Sequence, residues 1–365
     1  MNVQLQGNEQ ITKLFNDWYL AMLKQDVSQA TNLKHEIEEK ELNFEEDENL
    51  ALYYSLLDFR FKVLTDGLSI TKDSFNKIDS YAISPNHQLS YYYHLFKAIH
   101  ATLTTNYNLA SEHYENAEKL LVNVSDKLEE AEYNYRFAIF NQHFYKPIDA
   151  IQQATKARNI FMTENGFEIK LALCDNIIGS SCVFLKQYEQ AEEKFNSALS
   201  ILQKLNEKDL VLSVRNNLGW LYASQNLSSL AIRHLSEVTT KVPTHFKALF
   251  LQAREHYKLG EINIAEEFIK KGLGVCTELN NIEYILHFKI LNSLNNNETT
   301  EDLEKIILEG ITYFDKESLY NYTQEYSEKL ATKFYDENNH VKASEYFHKA
   351  LQAKEKTFEK GALND

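Results

Sequence analysis

The chain has 365 residues, of which 44% are hydrophobic, with only 10 glycines, 3 prolines and a formal net charge of −15. The apolar fraction suffices for a folded core, and the scarcity of turn-forming residues favours helices over a β-rich fold. The acidic charge argues against direct binding of nucleic acid, because neutralising phosphates requires lysine and arginine. No apolar run of about 18 residues is present, so we also expect no membrane contact.

Cysteine usage and the N-terminus predict the compartment. Cys174, Cys182 and Cys276 form no close pair and are odd in number, which is typical of a reducing environment. The first residues, MNVQLQGNEQ, lack the basic and apolar regions of a signal peptide. We therefore expect a cytoplasmic protein.

Residues 1–66 form a head without repeats, for which the sequence predicts three helices. The first follows Asn8 or Asn16, and the second runs from about Ser28 to Glu39. One apolar stripe with helical spacing supports the first helix: Ile11, Leu14, Phe15, Trp18, Met22 and Leu23.

A long third helix follows an acidic run at residues 45–48. Asn43 is a candidate N-cap for this helix, and Glu46, three residues later, is its capping-box partner. Residues 67–90 are polar and contain Gly67 and Pro85, which indicates a hinge or linker with a short helix.

One pattern recurs between residues 91 and 357: an alanine, a bulky residue four positions later and a small residue three positions after that. The match is imperfect, because Ala154 is not bulky and Val238 is not small. The alanines are Ala110, Ala150, Ala191, Ala231, Ala265 and Ala343. Their numbers differ by 40, 41, 40, 34 and 78, and the last gap, twice 39, predicts a further repeat near residue 304. Leu303, Ile307 and Gly310 fit that repeat without the alanine.

A small residue also stands twelve positions before each of these alanines: Ala98, Ala138, Gly179, Gly219, Ala253 and Ala331. Only the further repeat departs from this rule, with Leu291. Such positions share one face of each helix, where small side chains let paired helices approach closely. The spacing resembles the tetratricopeptide repeat (TPR), whose basic unit is about 34 residues. We therefore expect an all-α fold: an N-terminal three-helix bundle and a right-handed superhelix of about seven TPR-like helix pairs, with a C-terminal tail at 358–365.

Three segments of the head stand out: Asp17-Trp18-Tyr19, the acidic EED at 45–47 and LALYYSLLDFR at 50–60. They resemble the head of the Rap family, the quorum-sensing regulators of spore-forming Gram-positive bacteria. The resemblance implies a head (1–66) that binds a response regulator, a linker (67–90) and a repeat domain (91–357) that binds a short signalling peptide of the Phr type. Some family members dephosphorylate a sporulation regulator, whereas others sequester the DNA-binding domain of a competence regulator.

The resemblance also identifies the head residues of interest. In phosphatase members a glutamine at the start of the third helix orients the attacking water, and Glu48 stands at that position, with Glu46 as a second candidate. An ionised carboxylate has no donor and repels a phosphoryl group, so we expect sequestration rather than dephosphorylation. Glu45, Asp47 and Tyr53 are the expected partner contacts.

The expected peptide groove lies along the first helix of each repeat. Asparagine amides can pair with both N–H and C=O of an extended peptide, and Asn217 matches the groove asparagine of peptide-binding TPR regulators. The predicted groove residues are Asn176, Asn216, Asn217, Trp220, His143, Phe250, Arg254, Tyr257, Glu325 and Glu328. For the two glutamates, a solvated acidic face is the alternative reading.

No nucleotide-binding loop, HExxH or CxxC motif is present, so we expect no cofactor of the protein's own, with any Mg²⁺ carried by the response regulator. Two alternatives to a sequestering regulator stay open. One is an active aspartyl-phosphate phosphatase of the same family, and the other is a generic TPR scaffold.

Overall fold

A computed structural model describes residues 9–40, 47–82, 86–124 and 126–361. These residues form eighteen α-helices, two short 3-10 helices and no strand. The first four helices are α1 (Glu9–Leu23), α2 (Val27–Glu39), α3 (Glu48–Thr65) and α4 (Asn76–Asp79). The 3-10 helices, Gly67–Ser69 and Lys72–Phe75, lie between α3 and α4. The expected all-α class is therefore confirmed.

The other fourteen helices form seven consecutive TPR-like pairs, as the alanine spacing predicts. The pairs are α5 (His87–Leu103) with α6 (Tyr107–Leu121), α7 (Lys127–His143) with α8 (Pro147–Phe161), α9 (Glu168–Phe184) with α10 (Tyr188–Lys204), α11 (Lys208–Ser224) with α12 (Ser228–Lys241), α13 (Phe246–Lys258) with α14 (Ile262–Glu278), α15 (Ile282–Asn295) with α16 (Thr300–Lys316), and α17 (Tyr320–Asp336) with α18 (His340–Gly361). Every one of the six pattern alanines is buried, with at most 2% of its surface exposed. The further repeat predicted near residue 304 is the α15–α16 pair, and Leu303 and Ile307 are buried there.

A residue in the left-handed backbone conformation turns the chain between the two helices of every pair. These residues are Thr105, Tyr145, Lys186, Asn226, Gly260, Asn297 and Asn338. In six pairs the second helix starts two residues later, but after Asn297 it starts three residues later, at Thr300. This turn is one residue longer, so the counterpart of the small residue in the sixth pair is Ile290 and not Leu291.

The chain divides into two compact units. The first contains residues 1–185 and 196–202, and the second contains residues 186–195 and 203–365. In the first unit, α1 packs against α2 and α3, and α3 packs against α5. In the second unit, each pair from α11–α12 onward packs against the next. The domain boundaries expected at residues 66, 90 and 357 stay predictions, and α18 extends to Gly361, into the predicted tail.

The hairpin of α1 and α2 uses the same turn as the repeats. Gln25 adopts the left-handed conformation, and the second helix starts two residues later, at Val27. Asp26 caps α2 by accepting a hydrogen bond from the Gln29 N–H at 2.9 Å. The head thus begins with a hairpin of repeat geometry, although its sequence lacks the repeat pattern.

No helix among the described residues is both long and apolar enough to cross a membrane. The same residues contain no group of three or more histidine, cysteine or acidic side chains placed to hold a metal ion.

Candidate functional site

The acidic run ends at the N-terminus of α3. Glu45, Glu46 and the predicted cap at Asn43 lie outside the described residues. Within them, Asp47 is the N-cap, because its carboxylate accepts hydrogen bonds from the N–H groups of Asn49 at 3.0 Å and Leu50 at 3.1 Å. This bond pattern satisfies two of the N–H groups that every helix start leaves without a partner.

Glu48 is the first helical residue of α3, and its side chain is exposed. At a helix N-terminus a carboxylate is stabilised by the helix dipole, by roughly 0.3–1 kcal/mol. It can accept hydrogen bonds from a partner, but it cannot donate one to a phosphoryl oxygen while it is ionised. The position therefore suits contact with a donor-rich or basic surface better than the orientation of a water molecule against a phosphate.

Tyr53, expected to contact a partner, lies in the core of the head instead. It is fully buried, its hydroxyl donates to Asn16 Oδ1 at 2.7 Å, and its ring meets Phe15 edge-on at 5.6 Å. Because α3 turns its Tyr53 face towards α1, this side chain is unable to reach a partner while the head keeps this arrangement. We therefore reassign Tyr53 from a surface contact to a residue of the core.

The turn residues place the predicted groove side chains in a common register. Counting ten positions back from the left-handed residue of a pair gives Asn176, Asn216, Phe250 and Glu328. In the first unit, Asn176 is half-buried on α9, and His143 is exposed at the last residue of α7. The other predicted groove residues belong to the second unit.

Asn216 and Asn217 lie next to each other on α11, and both are half-buried. The Asn216 amide donates to Asn217 Oδ1 at 3.4 Å, and Asn216 Oδ1 is buried without a hydrogen-bond partner among the described residues. Trp220, one turn further along, packs against the core cluster that contains Leu235. These groups supply amide donors and acceptors beside an aromatic ring, the combination that binds an extended peptide backbone.

Phe250 and Arg254 contact each other on α13, with the guanidinium carbon 5.9 Å from the ring centroid. Arg254 also pairs with the buried Glu255, at 3.2 Å between Nε and Oε1. Tyr257 is half-buried on the same helix. Arg254 therefore offers a positive charge that is held in place by a carboxylate and an aromatic ring.

Glu325 and Glu328 lie one turn apart on α17. Glu325 pairs with Lys329 at 3.6 Å, whereas Glu328 accepts from Gln324 Nε2 at 2.8 Å. Between them is the buried Tyr326, whose pKa is raised well above its usual value by burial and by the charge of Glu325. The glutamates have partners on their own helix, which fits both a binding role and the solvated acidic face.

His287 is a candidate that the sequence reasoning missed. It lies ten positions before Asn297, which makes it the counterpart of Asn216 and Phe250 in the sixth pair. Its Nδ1 lies 2.6 Å from the Tyr326 hydroxyl, and its buried Nε2 has no hydrogen-bond partner among the described residues. Five aromatic rings have centroids within 4.4–5.7 Å of its ring: Phe250, Tyr284, Phe314, Tyr322 and Tyr326. The turn after Asn297 is one residue longer than the others, so counting from the repeat pattern does not align His287 with Asn216 and Phe250.

Comparisons with known proteins match two segments of the chain to families. A family described as response regulator aspartate phosphatase H, N terminal, matches residues 6–66, and a tetratricopeptide repeat family matches residues 171–241. The regulatory protein RapF of Bacillus subtilis is 25% identical over 96% of this chain and 95% of its own length. Response regulator aspartate phosphatase I of the same organism is 25% identical over 97% of this chain and 93% of its own length.

Among solved structures, a Rap protein complexed with competence and sporulation factor superposes with a TM-score of 0.84. The match covers 97% of this chain and 99% of that protein, at 23% identity. The shared fold therefore includes the head as well as the repeats.

Proposed function

Because the chain belongs to the Rap family, we propose that it binds and inhibits a bacterial response regulator through its head, and that a short signalling peptide of the Phr type ends this inhibition. Similarity along nearly the whole length of RapF carries the proposal, since head and repeats are both present. A further solved relative, the Rap conjugation gene regulator of the plasmid pLS20, is in complex with the Phr* peptide, which supports a peptide as the ligand.

The proposed inhibition is sequestration rather than dephosphorylation. Glu48 lies at the exposed start of α3. We assign it to the position of the family glutamine, and an ionised carboxylate lacks the donor that the phosphatase reaction needs. Active hydrolysis is the second candidate function, favoured by the resemblance to response regulator aspartate phosphatase I. A generic TPR scaffold would bind protein tails without affinity for a response regulator.

The peptide is proposed to bind the first helices of the repeats. In the second unit, Asn217 would pair with the peptide backbone, with Asn216 and Trp220 beside it on the same helix. Asn176 is proposed as the corresponding groove residue of the first unit. Arg254 would select an acidic side chain of the peptide. Glu325 and Glu328 would select a basic one. The proposal also places the protein in the cytoplasm, where its three buried cysteines stay free thiols. Any Mg²⁺ in the complex would belong to the receiver domain of the regulator.

Phosphoryl loss from a panel of phosphorylated response regulators tests this function. Wild type should bind one regulator at one-to-one stoichiometry without speeding phosphoryl loss, and Glu48→Gln should gain turnover. Glu39→Gln, which removes the same charge at the exposed end of α2, is the matched control and should behave as wild type. Turnover of many equivalents by wild type would establish the phosphatase instead, and a lack of binding to every regulator would leave the scaffold.

A further inference from the structure

Helix α7 carries a fully buried carboxylate that gathers cations from three helices. Glu132 Oε1 accepts from Arg60 Nη2 of α3 at 3.3 Å and from Arg136 Nε of α7 at 2.7 Å. Its Oε2 accepts from Lys170 Nζ of α9 at 2.5 Å. Although burial opposes ionisation, these three cations lower the pKa of Glu132 far below its usual value. The carboxylate is therefore ionised, and α3 of the head contributes one of its partners.

A second buried carboxyl group lies one turn earlier on α7, that of Glu129. Glu129 Oε1 accepts from the Tyr92 hydroxyl of α5 at 2.8 Å, and Oε2 lies 3.3 Å from the Tyr19 hydroxyl of α1. The Tyr53 ring of α3 stacks on Tyr92, with centroids 6.0 Å apart. Glu129 thus receives one donor from α1 of the head, and Glu132 receives one from α3.

Arg60 is poorly satisfied for a group that is completely buried. Its contact with Glu132 is long, and its Nε and Nη1 have no hydrogen-bond partner among the described residues. Burial lowers the pKa of Arg60 to about 10. Because the unpaired N–H groups would be hydrated if α3 left the repeats, Arg60 makes the docked head less stable than an apolar side chain would.

The ion pair of Asp175 and Arg158, inside the repeats, can be compared with the pair of Glu132 and Arg60. Asp175 accepts two hydrogen bonds from Arg158, at 2.8 and 3.4 Å, and one from Ser197 at 2.8 Å. Arg158, Asp175 and Ser197 belong to α8, α9 and α10. Each of the two carboxylates accepts at least three hydrogen bonds, so the difference lies in the cations. A quarter of the Arg158 side chain is exposed to solvent, whereas Arg60 is fully buried and its Nε and Nη1 have no partner among the described residues.

We propose that Glu129 and Glu132 form a latch that holds α1 and α3 against the repeats, and that Arg60 keeps this latch releasable. The latch is a property of the chain alone. Its regulatory meaning rests on the proposed function of the head, because release would free α1 and α3 to meet a response regulator. The two substitutions that touch the Arg60–Glu132 pair should act in opposite directions.

Hydrogen exchange of the α1 and α3 amides in the full-length protein, without peptide or regulator, tests the latch. Glu132→Gln leaves Arg60, Arg136 and Lys170 without their anion, so exchange in α1 and α3 should accelerate at least about tenfold, with α13–α18 unchanged. Arg60→Met leaves Glu132 paired with two cations of the repeats and removes the unpaired N–H groups. Exchange in α1 and α3 should then slow by a factor on the order of ten.

Asp175→Asn is the matched control, since it breaks a buried ion pair of the repeats and should accelerate exchange in α8 and α9 more than in α1 and α3. The latch is wrong if Glu132→Gln leaves α1 and α3 at the wild-type rate, or if it accelerates all helices equally. Should Glu132→Gln not fold, Arg60→Met decides alone, and unchanged or faster exchange would overturn the role of Arg60. Regulator binding, measured separately, would then show whether the proposed function stands without the latch.

Discussion

Replacing Gly272 by alanine should destabilise the fifth helix pair, although the same replacement at Gly274 should stabilise it. A Cβ atom on Gly272 would lie 2.0 Å from Cζ and 2.4 Å from Cε1 of Phe288, against an ordinary contact of at least 3.4 Å. The ring of Phe288 would have to move by about 1.4 Å (3.4 − 2.0), but it is fully buried in a cluster with Leu249 and Ile269. Such overpacking costs about 1–3 kcal/mol.

Two opposing terms decide the net effect. Alanine is favoured over glycine in a helix interior by about 1 kcal/mol, so Gly272→Ala should lose up to about 2 kcal/mol overall. Gly274 lies on the same helix and has no atom within 4 Å of an added Cβ, so Gly274→Ala should keep the whole gain of about 0.5–1 kcal/mol. The two stability changes differ in sign because only the Cβ added at position 272 would meet the ring of Phe288.

Urea unfolding followed by far-ultraviolet circular dichroism measures the two changes. Because repeat arrays do not always unfold in a single step, hydrogen exchange in α14 and α15 should be measured alongside. The midpoint should fall for Gly272→Ala and rise for Gly274→Ala, and the faster exchange should centre on α15. If both variants were stabilised, the close packing of α14 against Phe288 would be refuted.

Three other outcomes are expected. In thermal unfolding, Asp47→Ala should lower the free energy of unfolding by about 0.5–2 kcal/mol, because α3 loses its N-cap. Asp47→Asn should keep most of the stability that the cap contributes, because asparagine is also a good N-cap. Asn217→Ala should weaken calorimetric binding of a Phr-type peptide by about tenfold at an unchanged unfolding midpoint, and an unchanged affinity would remove Asn217 from the site. Glu129→Gln should match wild type in urea unfolding at pH 5 and exceed its stability at pH 7.

The sequence predicts the repeats well because their signal is local and repeated. Each small residue must admit a neighbouring helix, so a fixed spacing of alanines and glycines marks each pair. At Gly219 even alanine would be too large, since an added Cβ would lie 2.5 Å from Cγ of Leu235. The one-residue insertion after Asn297 breaks this count without breaking the fold, and that is why His287 escaped notice.

Contacts between distant segments leave no such signal. Arg60 and Glu132 are 72 positions apart, and nothing in the residues around either one points to the other. Tyr53 was misjudged for a related reason: a tyrosine on an amphipathic helix suits the surface and the core equally, and only the placement of Asn16 and Tyr92 decides. The prediction at Glu48 rests on a resemblance to a family and not on a pattern within the chain.

The pH dependence at Glu129 follows from the proton count of the two states. Burial, reinforced by the nearby carboxylates of Asp126 and Glu132, raises the pKa of Glu129 from 4.5 to about 8, although the hydrogen bond from Tyr92 opposes the shift. Between these values the folded chain holds a proton that the unfolded chain releases, so wild type loses stability as pH rises, by at most about 1.4 kcal/mol per unit. Glutamine resembles the protonated acid and does not titrate, so the stability of Glu129→Gln relative to wild type should grow with pH and level off above about pH 8. Lys170, whose pKa burial lowers to about 7, contributes the opposite slope above that pH in both proteins and cancels in the comparison. If the stability difference between Glu129→Gln and wild type stayed constant between pH 5 and 8, Glu129 would be ionised in the folded chain. The hydroxyls of Tyr19 and Tyr92 would then be stabilising a buried negative charge.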